Sequence, residues 1–320
     1  MSLPTLLQED IYLIDGLFLE MKERTGSYVI KSEKPTIIET CTSSSVPYIL
    51  QGLSNLDLSP EEIEYIIVTH IHLDHAGGVG LLLQHCPNAK VVVHPKGARH
   101  LVDPTKLILG AKAVYGKHFN QLFDPIIPVK EENILIMNEE DELEIGEDRT
   151  LRFYDTPGHA NHHFCIFDSK SKGIFSGDTL GSLYGELEKA GLFFSLPITS
   201  PNQYDPEKML LSAMKLENLD PHFIYFGHYG MTRKVTDVFE HLRHWLPQFT
   251  EASINGLKKN TTDPIPSVKL ELMEVVSNYL STKGIPPTHP IYHILEMDMS
   301  LNAMGLVDYI SKNHSHQIKP

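Results

Sequence analysis

Short apolar runs, each closed by a turn residue and then by an imidazole or a carboxylate, recur along the chain up to residue 228. Tyr65-Ile66-Ile67-Val68 leads into Thr69-His70-Ile71-His72-Leu73-Asp74-His75. Residues 151–155 lead into Thr156-Pro157-Gly158-His159-Ala160, Gly173-Ile174-Phe175 into Ser176-Gly177-Asp178-Thr179, and Phe223-Ile224-Tyr225 into Phe226-Gly227-His228. Runs this short, rich in Ile, Val, Phe and Tyr and bounded by Gly, Pro and Ser, read as strands. Residues 90–94 form another buried strand, and 78–84 a helix after the first motif. Ser59-Pro60-Glu61-Glu62 has the marks of a helix start: a serine cap, proline at the first helical position and acids in the first turn.

Two stretches break the strand rhythm. Residues 98–109 and 111–123 have helical spacing and carry Tyr115, His118, Phe119 and Phe123. This insert, at 96–125, is either a packing element or a wall of a substrate pocket, since inserts beside a site set specificity. Beyond His228, apolar residues recur at helical spacing over 235–245, 268–280 and 291–310, punctuated by Pro264, Pro266, Pro286, Pro287 and Pro290. Residues 231–320 therefore read as a helical extension, with a frayed tail at 314–320. The acidic run Glu139-Glu140-Asp141-Glu142 reads as a solvated turn between strands.

Composition narrows the partners. With 320 residues the chain can bury a large core. A formal net charge of −14 with no basic stripe argues against nucleic acid, whose phosphates demand Lys and Arg. Cys41, Cys86 and Cys165 are widely spaced, with no Cys-x-x-Cys pair, and read as free thiols. Glu9 and Asp10 interrupt the N-terminal apolar stretch, and no run approaches the roughly 18 apolar residues of a membrane span. These features predict a cytoplasmic protein that acts on a small molecule and binds neither membrane nor nucleic acid.

The chemistry concentrates at the strand ends. Imidazoles and carboxylates crowded as in His70–His75 are costly inside a fold unless they find partners, and a metal is the simplest one. Rigid strands that end at one rim hold such ligands better than loops do. His94 has no partner motif beside it and reads as a supporting or surface residue. His162 either orients a ligand or faces solvent, and His163 reads as the start of the apolar run Phe164–Phe167. There is no Gly-x-Ser-x-Gly elbow, so nothing requires a serine nucleophile.

At these motifs the sequence resembles the metallo-β-lactamase-fold hydrolase superfamily, in its glyoxalase II and lactonase-like branch, over about residues 10–230. The resemblance includes an opening hairpin-like region at Ile11–Asp15, 27–31 and 36–39. It implies a four-layer αββα sandwich of the α/β class, with residues 1–230 as the catalytic domain. The amphipathic spacing beyond it predicts a C-terminal helical extension, 231–320, that packs on the sandwich and helps close a pocket. The resemblance also implies two divalent metal ions, with zinc first and iron or manganese as alternatives. His70, His72 and His159 would hold the first metal, Asp74, His75 and His228 the second, and Asp178 would bridge them. Asp74 would also act on the nucleophile and carry its proton to the leaving group.

The implied reaction is attack of a metal-bridging hydroxide on a small ester, lactone or thioester. The alternatives are a mononuclear iron dioxygenase, as in persulfide dioxygenase-like members, a small-molecule phosphodiesterase, and a non-catalytic metal-binding protein of the same fold. Segment 180–186 lacks the arginine with which glyoxalase II-like members bind glutathione. Lactonases place a tyrosine three residues after the bridging aspartate. Here Gly181 stands there and Tyr184 follows, as an oxyanion-binding or a packing residue. Leu196-Pro197-Ile198-Thr199-Ser200-Pro201 looks like the lactonase loop before the last ligand, and Leu192, Phe193 and Phe194 make it apolar. Arg233 and Lys234 either receive a substrate carboxylate or are solvated. A homodimer is a possible assembly.

Overall fold

The computed structural model describes residues 3–313, so the tail expected at 314–320 lies outside the described residues. The chain forms two units. The first comprises Met1–Thr156, His162–Asp178 and Leu216–Val235; the second comprises Pro157–Asn161, Thr179–Lys215 and Thr236–Pro320.

The first unit holds two sheets. One runs in sequence order through β1 (Thr5–Leu6), β2 (Ile11–Asp15), β3 (Gly26–Ile30), β4 (Thr36–Ile38), β5 (Tyr65–Ile67), β6 (Lys90–Val93) and β7 (Ile134–Ile136). Its pairings are antiparallel up to β4 and parallel from β4 to β7. The second sheet begins with β8 (Glu142–Gly146), β9 (Arg149–Asp155), β10 (Phe164–Asp168) and β11 (Gly173–Gly177). After β12 (Ser182–Leu183) and β13 (Ser195–Leu196), which pair within the second unit, β14 (Phe223–Phe226) and β15 (Met231–Thr232) complete it in the order β15-β14-β11-β10-β9-β8. β14 pairs parallel with β11, and the other neighbours are antiparallel.

Alternation explains why the two sheets face each other. Leu13, Tyr28, Ile30, Ile38, Ile67 and Val92 of the first sheet meet Leu151, Phe153, Phe164, Ile166, Phe175 and Tyr225 of the second in one buried core. The other face of the first sheet, with Val29, Ile37, Ile66, Val91 and Val93, is covered by α1 (Val46–Asn55), with α2 (Leu73–Ala76), α3 (Val79–His85) and α4 (Pro95–Val102). Fully burying each of these Val, Leu, Ile and Phe side chains is worth roughly 1.5–3 kcal/mol. Mixed sheets flanked by helices give the expected αββα-like sandwich, followed by the expected C-terminal helices.

Two local readings change in detail. The Ser59 motif forms its capping box with Glu62 but supports only one 3₁₀ turn, Pro60–Glu62. Ile63, fully buried, turns the chain extended towards β5, so tertiary burial overrides a good helix start. The insert is three helices with a different break: α4, then α5 (Thr105–Tyr115), then α6 (Phe119–Phe123). The break falls at Asp103-Pro104, where proline disfavours helix in the preceding residue and Asp103 Oδ1 accepts from the Thr105 amide at 3.1 Å. The acidic run does lie in the turn between β7 and β8, and Asp141 accepts there from the Asn138 amide at 2.7 Å.

The second unit contains α7 (Gly185–Glu188), α8 (Pro206–Glu217, whose last turn belongs to the first unit), α9 (Val235–Lys259), α10 (Pro264–Thr282) and α11 (Ile291–Asn313). Pro264 opens α10 rather than interrupting a helix. The apolar loop 192–196 is core here: Phe194 is fully buried, with its ring 5.9 Å from Trp245 and 5.7 Å from Tyr279. The following segment is pinned to α11. Asn302 Oδ1 accepts from the Thr199 amide at 2.8 Å, and the Thr199 hydroxyl donates to the Asn302 carbonyl at 2.9 Å. A Cβ on Gly305 would lie 1.5 Å from the Thr199 carbonyl oxygen, so α11 accepts the segment only through glycine. No helix among the described residues is long and apolar enough to cross a membrane.

Candidate metal centre

The sheet topology brings donor residues to one rim of the first unit. β11 and β14 run parallel, with a register shift between Phe175 and Gly177 that sets Gly177 opposite Phe226, so Asp178 and His228 emerge from neighbouring strand ends. β10 is antiparallel to β11, so His163, just before it, lies at the same edge. β5 ends at this rim in the facing sheet, and the Phe164 amide ties it there by donating to the Thr69 carbonyl at 3.0 Å. From there His70 enters directly, and the single turn α2 carries Asp74 and His75.

The donors are close. His70 Nε2 lies 3.0 Å from His72 Nδ1 and 3.9 Å from Asp178 Oδ2. His75 Nε2 lies 3.2 Å from Asp178 Oδ1 and 3.7 Å from Asp74 Oδ2. His228 Nε2 lies 3.5 Å from Asp178 Oδ2 and 3.6 Å from Asp74 Oδ2. Among the described residues of the first unit two overlapping triads result, His70–His75–Asp178 and Asp74–His75–His228, each with its ligand-type atoms within 4.8 Å of one another. His75 Nε2 is buried without a well-aligned hydrogen bond, a state that costs free energy unless a further partner engages it. Asp74 and His228 are the more open members, at 17% and 14% exposure, so the site is approached from their side.

Electrostatics divides the histidines. Burial, reinforced by neighbouring His75 and His72, holds the His70 pKa well below its usual value, so His70 is a neutral ligand type. Burial opposes charge on His75 too, but Asp178, Asp74 and Glu39 together overcome it and push its pKa well above the usual value. His228 is raised by the same contest, with burial outweighed chiefly by Asp178.

Supporting residues fix these rings. Glu39 follows β4, is buried, and places Oε2 3.4 Å from His75 Nδ1 while Oε1 accepts from the Thr69 hydroxyl. His163 Nε2 accepts from the Asp178 amide at 3.1 Å, its Nδ1 lies 2.9 Å from the Thr156 hydroxyl, and its ring stacks on His70 at 4.9 Å. Its place in the site contradicts the reading of His163 as merely the start of an apolar run. Glu39 was not singled out at all, although a carboxylate directly after a strand is the pattern that marked the other motifs. Gly177 has a φ of 47°, and a Cβ there would lie 2.4 Å from His163 Nε2 and 2.5 Å from the Thr69 hydroxyl. Only glycine lets Asp178 follow at this position.

The remaining predicted residues fall as follows. His159 is buried in the second unit, its Nδ1 3.1 Å from the Ile198 carbonyl oxygen. Tyr184 is buried there too and donates to Asp298 Oδ2 at 2.9 Å. His94 Nε2 pairs with Asp155 at 3.0 Å, and its Nδ1 accepts from the Lys96 amide and so caps α4. His162 lies beside the ligand-type rings, 5.4 Å from His72. Arg233 and Lys234 are exposed, and the Arg233 guanidinium lies over the Phe223 ring. All three cysteines are buried free thiols; burial raises the Cys41 and Cys86 pKa values to about 12, which makes both unreactive.

Comparison with known proteins gives a consistent picture. The model of the metallo-beta-lactamase superfamily matches residues 24–228. An uncharacterized protein of Methanocaldococcus jannaschii, MJ0732, is 27% identical over 88% of this chain and 67% of its own length. The metallo-beta-lactamase fold-containing protein ST1585 of Sulfurisphaera tokodaii is 28% identical over 74% of this chain and 84% of its own. In fold, the crystal structure of the archaeal ST1585 from Sulfolobus tokodaii superposes with a TM-score of 0.66 at 21% identity, covering 94% of this chain and all 100% of that one. A metallo-beta-lactamase family protein of Thermus thermophilus, TTHA1429, reaches 0.64 at 17% identity over 96% and 95%.

Proposed function

The chain belongs to the metallo-beta-lactamase superfamily, and from that premise we propose that it is a dinuclear metal-dependent hydrolase of a small ester, lactone or thioester. The observation that carries the reading is the position of Asp178. Its Oδ1 faces His75 and its Oδ2 faces both His70 and His228, as a carboxylate shared by two donor groups must. The donor set fits divalent zinc, and equally iron or manganese: neutral imidazoles, carboxylates and a buried nitrogen, His75 Nε2, that lacks an aligned partner. On this reading His70, His72 and His159 would hold one ion and Asp74, His75 and His228 the other, with Asp178 serving both.

When bound, the two ions supply a nucleophilic hydroxide near neutral pH and polarise the scissile carbonyl. The chain's own residues do the rest. Asp74 Oδ2, between His75 and His228 at the open side, orients the nucleophile and takes its proton to the leaving group. Glu39 and His163 hold the His75 ring and the Asp178 backbone in place. Residues 1–230 are proposed as the catalytic part and 231–320 as its helical extension.

The test is metal analysis of the purified protein, followed by a panel of lactones, thioesters, aryl esters and phosphodiesters on the same sample. About two transition-metal ions per chain, with turnover confined to carbonyl substrates, are expected. One iron with oxygen consumption, or phosphodiester turnover alone, would reject the proposal.

A further inference from the structure

The turn that carries His228 is clamped from the facing sheet by one phenol. β14 and β15 pair antiparallel, Tyr225 opposite Met231, and His228 stands at the middle of the turn 226–230 that joins them. The turn bends against local preference: Tyr229 has a φ of 68°, and Gly230 follows at 93°. A bulky residue keeps such a φ only where its surroundings impose it. Here they come from β3. Tyr28, 1% exposed, sets its hydroxyl 2.6 Å from the Phe226 carbonyl oxygen and 2.7 Å from that of Gly230, so one proton is shared between the two arms of the turn. The Gly26 amide adds a bond to the Gly227 carbonyl at 3.3 Å. The Tyr28 ring is itself fixed edge-on against Phe175 at 5.2 Å and Tyr225 at 5.8 Å. Burial pushes its pKa well above the ordinary phenol value, so the shared proton stays in place.

His228 depends on this clamp more than its neighbours do. His70 Nδ1 lies 3.1 Å from the Thr69 hydroxyl, and Glu39 Oε2 faces His75 Nδ1. Among the described residues no hydrogen bond engages His228 Nδ1. Its position, 3.5 Å from Asp178 Oδ2 and 3.6 Å from Asp74 Oδ2, is therefore set by the backbone of the turn. We propose that Tyr28 is a positioning residue for the metal position of Asp74, His75 and His228: its hydroxyl closes the turn 226–230 and so holds His228 against Asp74 and Asp178. The inference rests on the dinuclear reading only for the number of ions.

The test titrates zinc, in competition with a chromophoric chelator, into the metal-stripped full chain. Wild type should bind two ions. Tyr28→Phe keeps the ring between Phe175 and Tyr225 and should weaken one ion by roughly tenfold or more while leaving the other unchanged. A merely structural hydroxyl would lower the melting temperature without choosing between ions. His228→Ala should lose the same ion, and Tyr28→Phe added to it should not touch the one that remains. Gly230→Ala strains the turn but leaves the phenol and its core in place; it should repeat the selective loss, and it decides the matter if Tyr28→Phe does not fold. Equal weakening of both ions, unchanged binding of both, or a further loss in the double variant would overturn the assignment. A single ion in the wild type would reject the dinuclear reading. The assignment then stands if Tyr28→Phe and His228→Ala each weaken that ion and their effects do not add, and falls if Tyr28→Phe leaves it unchanged. No bound ion at all would sink both.

Discussion

Asp178 owes its position to the residue before it. Because a Cβ at residue 177 would collide with His163 and Thr69 at a left-handed φ, Gly177→Ala is expected to cost roughly 1–3 kcal/mol and to displace Asp178. Thermal unfolding and metal content should fall together; a variant that melts lower yet keeps its metal would separate backbone strain from ligand placement. Asp178→Ala should lose both ions at once, and a retained ion would show that the carboxylate is not shared. Asp74→Asn should lower kcat by roughly a hundredfold or more with little change in KM, since the amide keeps the shape but accepts no proton. A rise in KM at constant kcat would place Asp74 in binding instead. At this scale the ligand-type residues after the strands were legible because polar groups directly after apolar runs are hard to explain otherwise. His163 was not, because its neighbours Phe164 and Ile166 suggested packing. Its partner, the Asp178 amide, comes from another strand that only the folded sheet brings near.

Elements were legible where burial and periodicity agree. Each strand that precedes a motif lies within a residue or two of its expected place, as β5, β9, β11 and β14 show. The C-terminal helices run longer than their periodic cores, because α9 and α11 continue through polar turns once packing holds them. What the sequence hid was which apolar residues serve packing: Phe193, Phe194 and Leu196 lie in the loop that resembled that of the lactonases and are core of the second unit. The same unit yields a prediction. Asn302 is buried on α11, and its side chain serves the Thr199 amide and the Pro197 carbonyl. Asn302→Leu leaves those backbone groups unpaired and should destabilise the protein by about 2–4 kcal/mol. Chemical denaturation checks it; a change below about 0.5 kcal/mol would mean that water replaces the amide.

For the whole molecule, charge and metal are coupled. In the metal-free chain the carboxylates around His75 and His228 raise their pKa values above the ordinary imidazole range and favour the protonated forms, whereas burial favours neutral His70. Metal must displace those protons, so affinity rises with pH until both histidines are neutral and falls as pH drops. Calorimetry in buffers of different ionisation enthalpy should show net proton release at pH 7; binding heats independent of buffer would contradict the shifts. The parallel pairing of β11 with β14 has a consequence in time as well as in space. Among these donors His70, His72, Asp74 and His75 are neighbours along the chain; Asp178 and His228 join them when β11 and β14 have paired and their sheet has packed on the other. Such long-range pairing comes late in folding, after loop closure has been overcome. On the proposed dinuclear reading, a nascent chain offers only the His70–His75 part of the donor set, so metal is expected to load after β11 and β14 have paired.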